Sequence, residues 1–407
     1  MTGPSLMHYV SLDAAGGVEL QFADFISVAV RRGLEPAGVV ACGRRIHPLV
    51  AARFPKATPI RFEKYAGPIK WPKWPPAIRR AWQARLLRRA DADGVVIWNR
   101  LRDSVNTLRA AGPARCVYWE RGASWFADVT PAKTWFIEHI QAVLANSFAA
   151  RRMLELRWGY RGQIRVVPNA LRPALAGAAD APRAAPTERW RLGMVARLVP
   201  IKGTAIALHA LARLRKRGFP VTLAVAGDGP ERATLARLAE RLGIADAVIF
   251  HGLVSDMGSF YRAIDVLVHP ALREPFGQIA IEANAYGVPA IVSAVDGLVE
   301  VVADDVSGLC LAPEEDLSVY AELGGGDDDL PPYVYHPGQD AIGAPRVLAP
   351  NRLADAVAGL IEDHARYERL SRDGWARVRT RFDFGEHVDA AIGAIRGYLK
   401  TGTLVSP

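Results

Sequence analysis

The chain has 407 residues, about half of them apolar and 23% charged, with a formal net charge of +9. That length exceeds the size at which one hydrophobic core usually stops growing, so two domains are expected, and the composition argues against a disordered chain. Cys42, Cys116 and Cys310 are far apart with no Cys-x-x-Cys or His cluster beside them, and no apolar run reaches the roughly 18 residues that span a bilayer. Residues 1–12 lack the basic start and apolar stretch of a signal peptide. A reducing cytoplasmic setting is the expectation.

In chain order, strands are predicted at Tyr9–Leu12, Val39–Ala41, Gly94–Trp98, Cys116–Trp119, Val143–Ala145 and Ile164–Val167. Gly16-Gly17 turns the first of these into a helix over Val18–Arg32. Pro173 to Pro186 is Ala/Pro-rich and reads as the linker. A second alternation follows, with strands at Arg191–Val195, Val221–Ala226, Val248–Phe250, Val266–His269 and Ala290–Ser293, and helices at Thr204–Arg217 and Glu231–Leu242 between them. Strand–helix alternation of this kind predicts parallel sheets with helices on both faces, and ligands at the carboxyl ends of the strands. Pro313 to Ala349 breaks the rhythm with Gly324-Gly325-Gly326, Asp327-Asp328-Asp329 and Pro331-Pro332; it reads as a lid, an acceptor loop or an oligomer contact. The last predicted helix, Glu386–Leu399, is amphipathic.

Arg273-Glu274-Pro275-Phe276-Gly277-Gln278-Ile279-Ala280-Ile281-Glu282 carries most of the functional signal. Pro275 resists a continuing helix and Gly277 admits a close ligand, so Glu274 lies on a loop, Glu282 on the helix behind it, and an anion fits the helix N-terminus between them. A solvated carboxylate and a satisfied one explain the pair equally well. Gly16-Gly17 opens a helix where amides can face a phosphate, or is an ordinary turn. Arg197 and Lys202 precede the helix at Gly203-Thr204 as a diphosphate clamp or as solvated cations. Gly227-Asp228-Gly229-Pro230 and Asp296-Gly297 end strands and are equally ambiguous alone. Their shared order and strand-end placement is what no single feature has.

In that order the chain resembles the retaining glycosyltransferases of the GT-B fold, family 4. Val195-Ala196-Arg197-Leu198 with Lys202-Gly203, Gly227-Asp228-Gly229-Pro230 and the Glu274–Glu282 pair are similar to that family's donor-domain motifs. Ala145-Asn146-Ser147, Val166-Val167-Pro168-Asn169 and Gly16-Gly17-Val18-Glu19 resemble its first domain. The resemblance implies two Rossmann-like domains facing a central cleft: an acceptor-side domain over 1–178, a nucleotide-sugar domain over 179–382 with an insertion near 313–349, and a helix over 383–407 returning to the first domain. It implies a retaining hexosyltransferase that takes a UDP- or GDP-sugar to a glycan or glycolipid hydroxyl, in polysaccharide or lipopolysaccharide synthesis.

The donor would then sit on Gly16, Gly17, Arg197, Lys202, Gly229, Glu274, Phe276, Gly277, Gln278, Ile279 and Glu282. Arg197 and Lys202 would stabilise the leaving diphosphate, Glu274 would hold the sugar hydroxyls and Glu282 the ribose. Where many members have a histidine, this chain reads Trp119-Glu120-Arg121-Gly122, which makes Glu120 a further catalytic candidate and Arg121 its alternative. No metal and no other cofactor are expected: the histidines form no ligand pattern, and Asp91-Ala92-Asp93 precedes a strand instead of ending one.

Arg61 to Arg89 carries nine Lys/Arg against Glu63 alone, nearly the whole positive excess. Ile78, Trp82 and Leu86 recur at helical spacing there, with arginines on the other faces. The stripe packs on the sheet, or the helix lies on the anionic inner face of the cytoplasmic membrane. A GT-B phosphorylase or epimerase, or a basic nucleic-acid-binding protein, are the competing readings; the ordered Arg–Lys and Glu–Glu motifs favour transfer, with no nucleic acid as partner.

Overall fold

The computed structural model describes residues 5–404 except 15, 35, 57, 73, 102, 103, 127, 177–180 and 329. Lys73 of the basic segment, Asp329 of the acidic triplet and residues 177–180 of the Ala/Pro-rich stretch therefore lie outside the described residues. The chain folds as two units, Met1–Asn169 with Phe384–Pro407, and Ala170–Asp383.

In the first unit, β1 (Leu6–Val10), β2 (Pro36–Ala41) and β3 (Ile60–Phe62) precede a small antiparallel ladder of β4 (Tyr65–Ala66) and β5 (Ile69–Lys70). β6 (Gly94–Trp98), β7 (Cys116–Glu120), β8 (Ala142–Ala145) and β9 (Gln163–Val166) follow. Among the described residues these form a seven-stranded sheet in the order β3-β2-β1-β6-β7-β8-β9, parallel throughout. β1, β6, β7 and β8 are buried at every position, as strands covered on both faces must be. Met7, Tyr9, Val95, Ile97 and Tyr118 feed one core, while the intervening His8, Trp98 and Trp119 meet the rings of Phe22 and Phe25 on the other face.

The strand β1 begins before the predicted Tyr9 because His8 is internal: it accepts a bond from Trp98 Nε1 at 3.1 Å, and burial pushes its pKa down to about 3. A polar residue in an apolar run hid the start. Helix Phe384–Thr401 belongs to this unit, with His387 stacked near Trp119 and donating from Nδ1 to the Pro168 carbonyl at 2.7 Å.

The second unit runs β10 (Trp190–Val195), β11 (Val221–Ala226), β12 (Val248–Gly252), β13 (Val266–His269), β14 (Ala290–Ser293) and β15 (Gly308–Leu311). Among the described residues the order is β12-β11-β10-β13-β14-β15, again parallel. Leu192, Met194, Leu223, Val225, Val266 and Val268 pack on one face, and Ala226, Leu267, Ala290 and Val292 on the other. The strand order reverses between β10 and β13, so a crevice opens beyond Val195 and His269.

Two expectations change here. The Ala/Pro-rich stretch is no loose linker in its described part. It starts as helix Pro173–Ala176, and Arg183 donates to the carbonyls of Tyr286 at 2.8 Å, Ile264 at 2.5 Å and Tyr261 at 2.8 Å. The 313–349 segment is built, with helix Leu317–Glu322 and an antiparallel hairpin of β16 (Val334–His336) and β17 (Ala341–Gly343). Its periodicity is invisible in sequence because the elements are too short to show one.

Candidate active site

Beyond β10 the chain is zipped to its neighbours on both sides. Ala196 N donates to Ala226 O and Leu198 N to Asp228 O, each at 3.0 Å, fixing the Val195–Lys202 loop against Gly227–Pro230. Gly227 holds φ +130°, and a Cβ there would lie 1.8 Å from the Ala196 carbonyl oxygen. On the far side Leu272 N donates to Ile201 O at 2.9 Å. Gly203 holds φ +70°, where a Cβ would lie 1.9 Å from Pro270 O. These glycines exist because backbones touch backbones, which is more than a turn requires.

The clamp brings Lys202 to Glu274. Lys202 Nζ lies 2.7 Å from Glu274 Oε2, and the buried His269 places Nε2 3.1 Å from the same oxygen. Burial pushes the Glu274 carboxyl up, but Lys202 and His269 outweigh it and hold the group well below the ordinary carboxylate range. Burial likewise lowers the His269 pKa, only partly offset by its bond to Glu274. Both bonds fall on Oε2, and among the described residues Oε1 accepts none. The main chain of Glu274 is held too: its N–H donates to Asp296 Oδ2 at 2.9 Å, and its carbonyl accepts from Gly297 at 3.2 Å. Arg197 is exposed at the end of β10.

Gly277, at φ +103°, turns the chain into helix Gln278–Ala285, whose first amides face the same crevice end of the sheet. Phe276 is buried edge-on to Phe382, and Ile279 is partly buried. Gln278 Nε2 donates to the Ala170 carbonyl at 2.9 Å, while its buried Oε1 accepts no hydrogen bond among the described residues. Glu282 is 1% exposed and engaged at both oxygens, by Arg172 Nε at 2.7 Å and Tyr261 OH at 2.9 Å. Gly229 N donates to Asp228 Oδ1 at 2.8 Å within its own turn.

The remaining expected residues lie in the first unit. A Cβ on Gly16 would lie 2.7 Å from Glu19 Oε2, whereas one on Gly17 would meet open space. The Glu19 carboxylate thus lies over the helix start, and burial raises its pKa. A carboxylate of the chain itself stands at the helix end that sequence offers to a phosphate.

Glu120, the further catalytic candidate, lies at the end of β7. It is fully buried, with Oε1 accepting from Gly122 N at 2.6 Å and Ser124 N at 3.0 Å, and Oε2 from Tyr118 OH at 2.7 Å. That carboxylate organises its own loop. Arg121 beside it stacks over Trp98 and Trp119, donates to Asn169 Oδ1 at 2.7 Å, and has its pKa lowered by burial to about 9. Asp93 serves the N-terminus, accepting from Ser5 N at 2.7 Å, and Asp91 ends a helix at φ +47°. Among the described residues no group of three or more His, Cys, Asp or Glu is placed to hold a metal.

Residues 178–323 match the family of glycosyl transferases group 1, and they span β10 to β15 with the Lys202–Glu274 pair inside. This segment is a glycosyl transferases group 1 domain. The chain is 33% identical over 214 residues to the D-inositol 3-phosphate glycosyltransferase of Streptomyces griseus, a match covering 47% of this chain and 45% of that one. It is 39% identical over 154 residues to the enzyme of the same name from Mycolicibacterium smegmatis, covering 36% and 35%. The chain thus spans less than half the length of the curated relatives it matches.

In solved structures, a glycosyltransferase from Rickettsia africae ESF-5 covers 98% of this chain and is itself wholly covered, with TM-score 0.76 and 14% identity. Anabaena Alr3699/HepE in complex with UDP and glucose covers 97% and is also wholly covered, with TM-score 0.68 and 18% identity. At these identities the likeness is one of fold, and the fold is GT-B.

In the sequence Arg197, Lys202, Glu274 and Glu282 stand out and Asp296 is ambiguous, whereas His269, Arg172 and Tyr261, which hold Glu274 and Glu282, do not stand out. His269-Pro270 and Asp296-Gly297 stand at strand ends, a signal that was there to use. Arg172 meets Glu282 across 110 residues of sequence, and no local pattern announces that.

Proposed function

We propose that the chain is a retaining hexosyltransferase that moves a hexose from a UDP- or GDP-sugar to a glycan or glycolipid hydroxyl. The observation that carries this is the Lys202–Glu274–His269 cluster at the strand-order reversal of the group 1 domain, with Glu274 Oε1 left to accept from a ligand. An ionised, main-chain-anchored carboxylate suits sugar hydroxyls, and Lys202 with the exposed Arg197 suits a diphosphate whose charge grows as the glycosidic bond breaks. Glu282, held by Arg172 and Tyr261, keeps spare lone pairs for ribose hydroxyls. The relatives' names and the UDP and glucose held by the Anabaena structure support the same reading.

Because cationic side chains stand where the leaving diphosphate would sit, the reaction runs without a metal in this account. The acceptor oxygen attacks from the leaving-group face, and no side chain forms a covalent intermediate. Incubation with UDP- and GDP-hexoses in excess chelator, followed by NMR of the product, should give the donor's own anomer. An inverted product, or turnover only with added Mg²⁺ or Mn²⁺, would overturn this.

The acceptor is proposed to lie at a membrane surface, as in lipopolysaccharide or polysaccharide synthesis. Helix Pro76–Ala90 buries Gln83, Leu86 and Leu87 and leaves Arg80, Arg85, Arg88 and Arg89 exposed. Beside them Trp74 is 79% and Ile69 62% exposed, and a groove of about 760 Å³ is lined by Trp71, Trp82 and three of these arginines. No helix among the described residues is long and apolar enough to cross a bilayer, so contact would be peripheral. The chain should co-sediment with vesicles containing anionic phospholipid, and changing all four arginines to glutamine should cut that binding roughly tenfold or more. Equal sedimentation of both proteins would remove the membrane from the proposal.

A further inference from the structure

The 313–349 segment bonds to the Lys202 loop, to Glu231 just after Gly227–Pro230, and to Asp296, which in turn holds the Glu274 loop. Tyr320 OH donates to the Pro200 carbonyl at 2.9 Å, two residues before Lys202. Gly326 N donates to Glu231 Oε1 at 3.0 Å, immediately after Gly227–Pro230. Tyr335, in β16, exchanges two bonds with Asp296: its N–H donates to Oδ1 at 2.8 Å, and its carbonyl accepts from Asp296 N at 3.0 Å. The other carboxylate oxygen of Asp296 accepts from Glu274 N. One buried carboxylate therefore joins the hairpin on one side to the Glu274 loop on the other.

Asp296 is fully buried and sits at φ +47°, a conformation in which glycine is the residue without strain. What glycine would lack is the carboxylate, and here each of its oxygens takes a backbone N–H that would otherwise lose its partner. The strain is borne for that bridge.

We propose that Asp296 is a positioning residue that locks Glu274 to the β16–β17 hairpin, making the 313–349 segment a brace for the donor loops in place of an acceptor loop. The role assigned to Glu274 rests on the function proposed above; the mechanical tie does not. The geometry makes the hairpin a place where sequence changes alter donor-sugar selection without touching the sugar.

Two substitutions test this. Asp296→Gly suits the backbone and removes both acceptors, and Asp296→Asn retains one. In the free protein, hydrogen exchange at the Glu274 and Tyr335 amides should accelerate together in Asp296→Gly, by tenfold or more, while Leu267 in β13 stays protected. Asp296→Asn should fall between. With UDP-glucose as probe, kcat should drop roughly tenfold with KM little changed, and Asp296→Asn should recover part of it. Exchange that rises at one amide only, or equally throughout the second unit, overturns the tie, as does a lower Tm with kcat intact. A wild-type chain that binds no nucleotide sugar contradicts the donor reading instead, and the exchange result still decides the role of Asp296.

Discussion

Glu274→Gln is expected to lower hexose transfer by roughly two to three orders of magnitude, the range seen when one preorganised polar contact to the reacting centre is lost. Glutamine preserves size but removes the charge on which Lys202 and His269 converge. The sugar loses an ionised acceptor, and Lys202 loses the partner that holds it in the crevice. Affinity for the free nucleoside diphosphate should change by only about threefold or less, because Arg197 and Lys202 are retained, so the defect belongs to sugar orientation and the transition state.

A pH signature accompanies it. The folded-state pKa of Glu274 is depressed, so its contribution to stability is complete above the unfolded carboxyl value near pH ~4.3 and is lost as pH falls below it. Urea titrations at pH 7 and near pH 3 should therefore show a component of acid destabilisation in the wild type that the glutamine variant lacks. Wild-type turnover in the variant would refute the assigned role.

The second large effect is structural. Gly203→Ala places a methyl group 1.9 Å from the Pro270 carbonyl oxygen at φ +70°. A left-handed alanine costs about 1–2 kcal/mol, and forcing apart two packed backbones about 1–3 kcal/mol more, a large part of a typical domain's total. The same contact clamps Lys202 beside Glu274, so stability and nucleotide binding should fall together. Gly218→Ala is the control: φ is +87° but nothing lies within 4 Å, so only the conformational cost of about 1–2 kcal/mol is expected. Urea denaturation of both variants measures the difference, and equal losses would mean that the clamp carries no strain.

The fold was legible because parallel strands covered on both faces write themselves as apolar runs, and nearly every predicted strand lies within a residue or two of its observed bounds. β3 and β15 escaped notice: Ile60–Phe62 is too short, and Gly308–Leu311 holds a glycine and a cysteine where β-branched residues were sought. Among the site residues, Lys202 and Glu274 were legible from spacing and strand-end position.

What escaped was what holds them. His269 reads as the end of a strand with no ligand pattern, but its Nε2 shares the Glu274 oxygen with Lys202. Asp296-Gly297 is ambiguous at its strand end, yet the Asp296 carboxylate bridges two amides. Glu120 looked like chemistry because of its neighbourhood in sequence; in space it is enclosed by donors from its own loop. A carboxylate's role depends on what its oxygens face, and that is fixed by residues tens to hundreds of positions away.

The central claim, that Glu274 reads the sugar of a nucleotide sugar held by Lys202 and Arg197, is tested most directly by paired calorimetric titrations. Wild type and Glu274→Gln would each be titrated with UDP, GDP and their hexose conjugates in chelator. For one nucleotide the wild type should bind the sugar conjugate differently from the bare diphosphate, and Glu274→Gln should erase that difference while keeping diphosphate affinity. A wild type that binds none of these ligands, or a variant that discriminates as the wild type does, would contradict it.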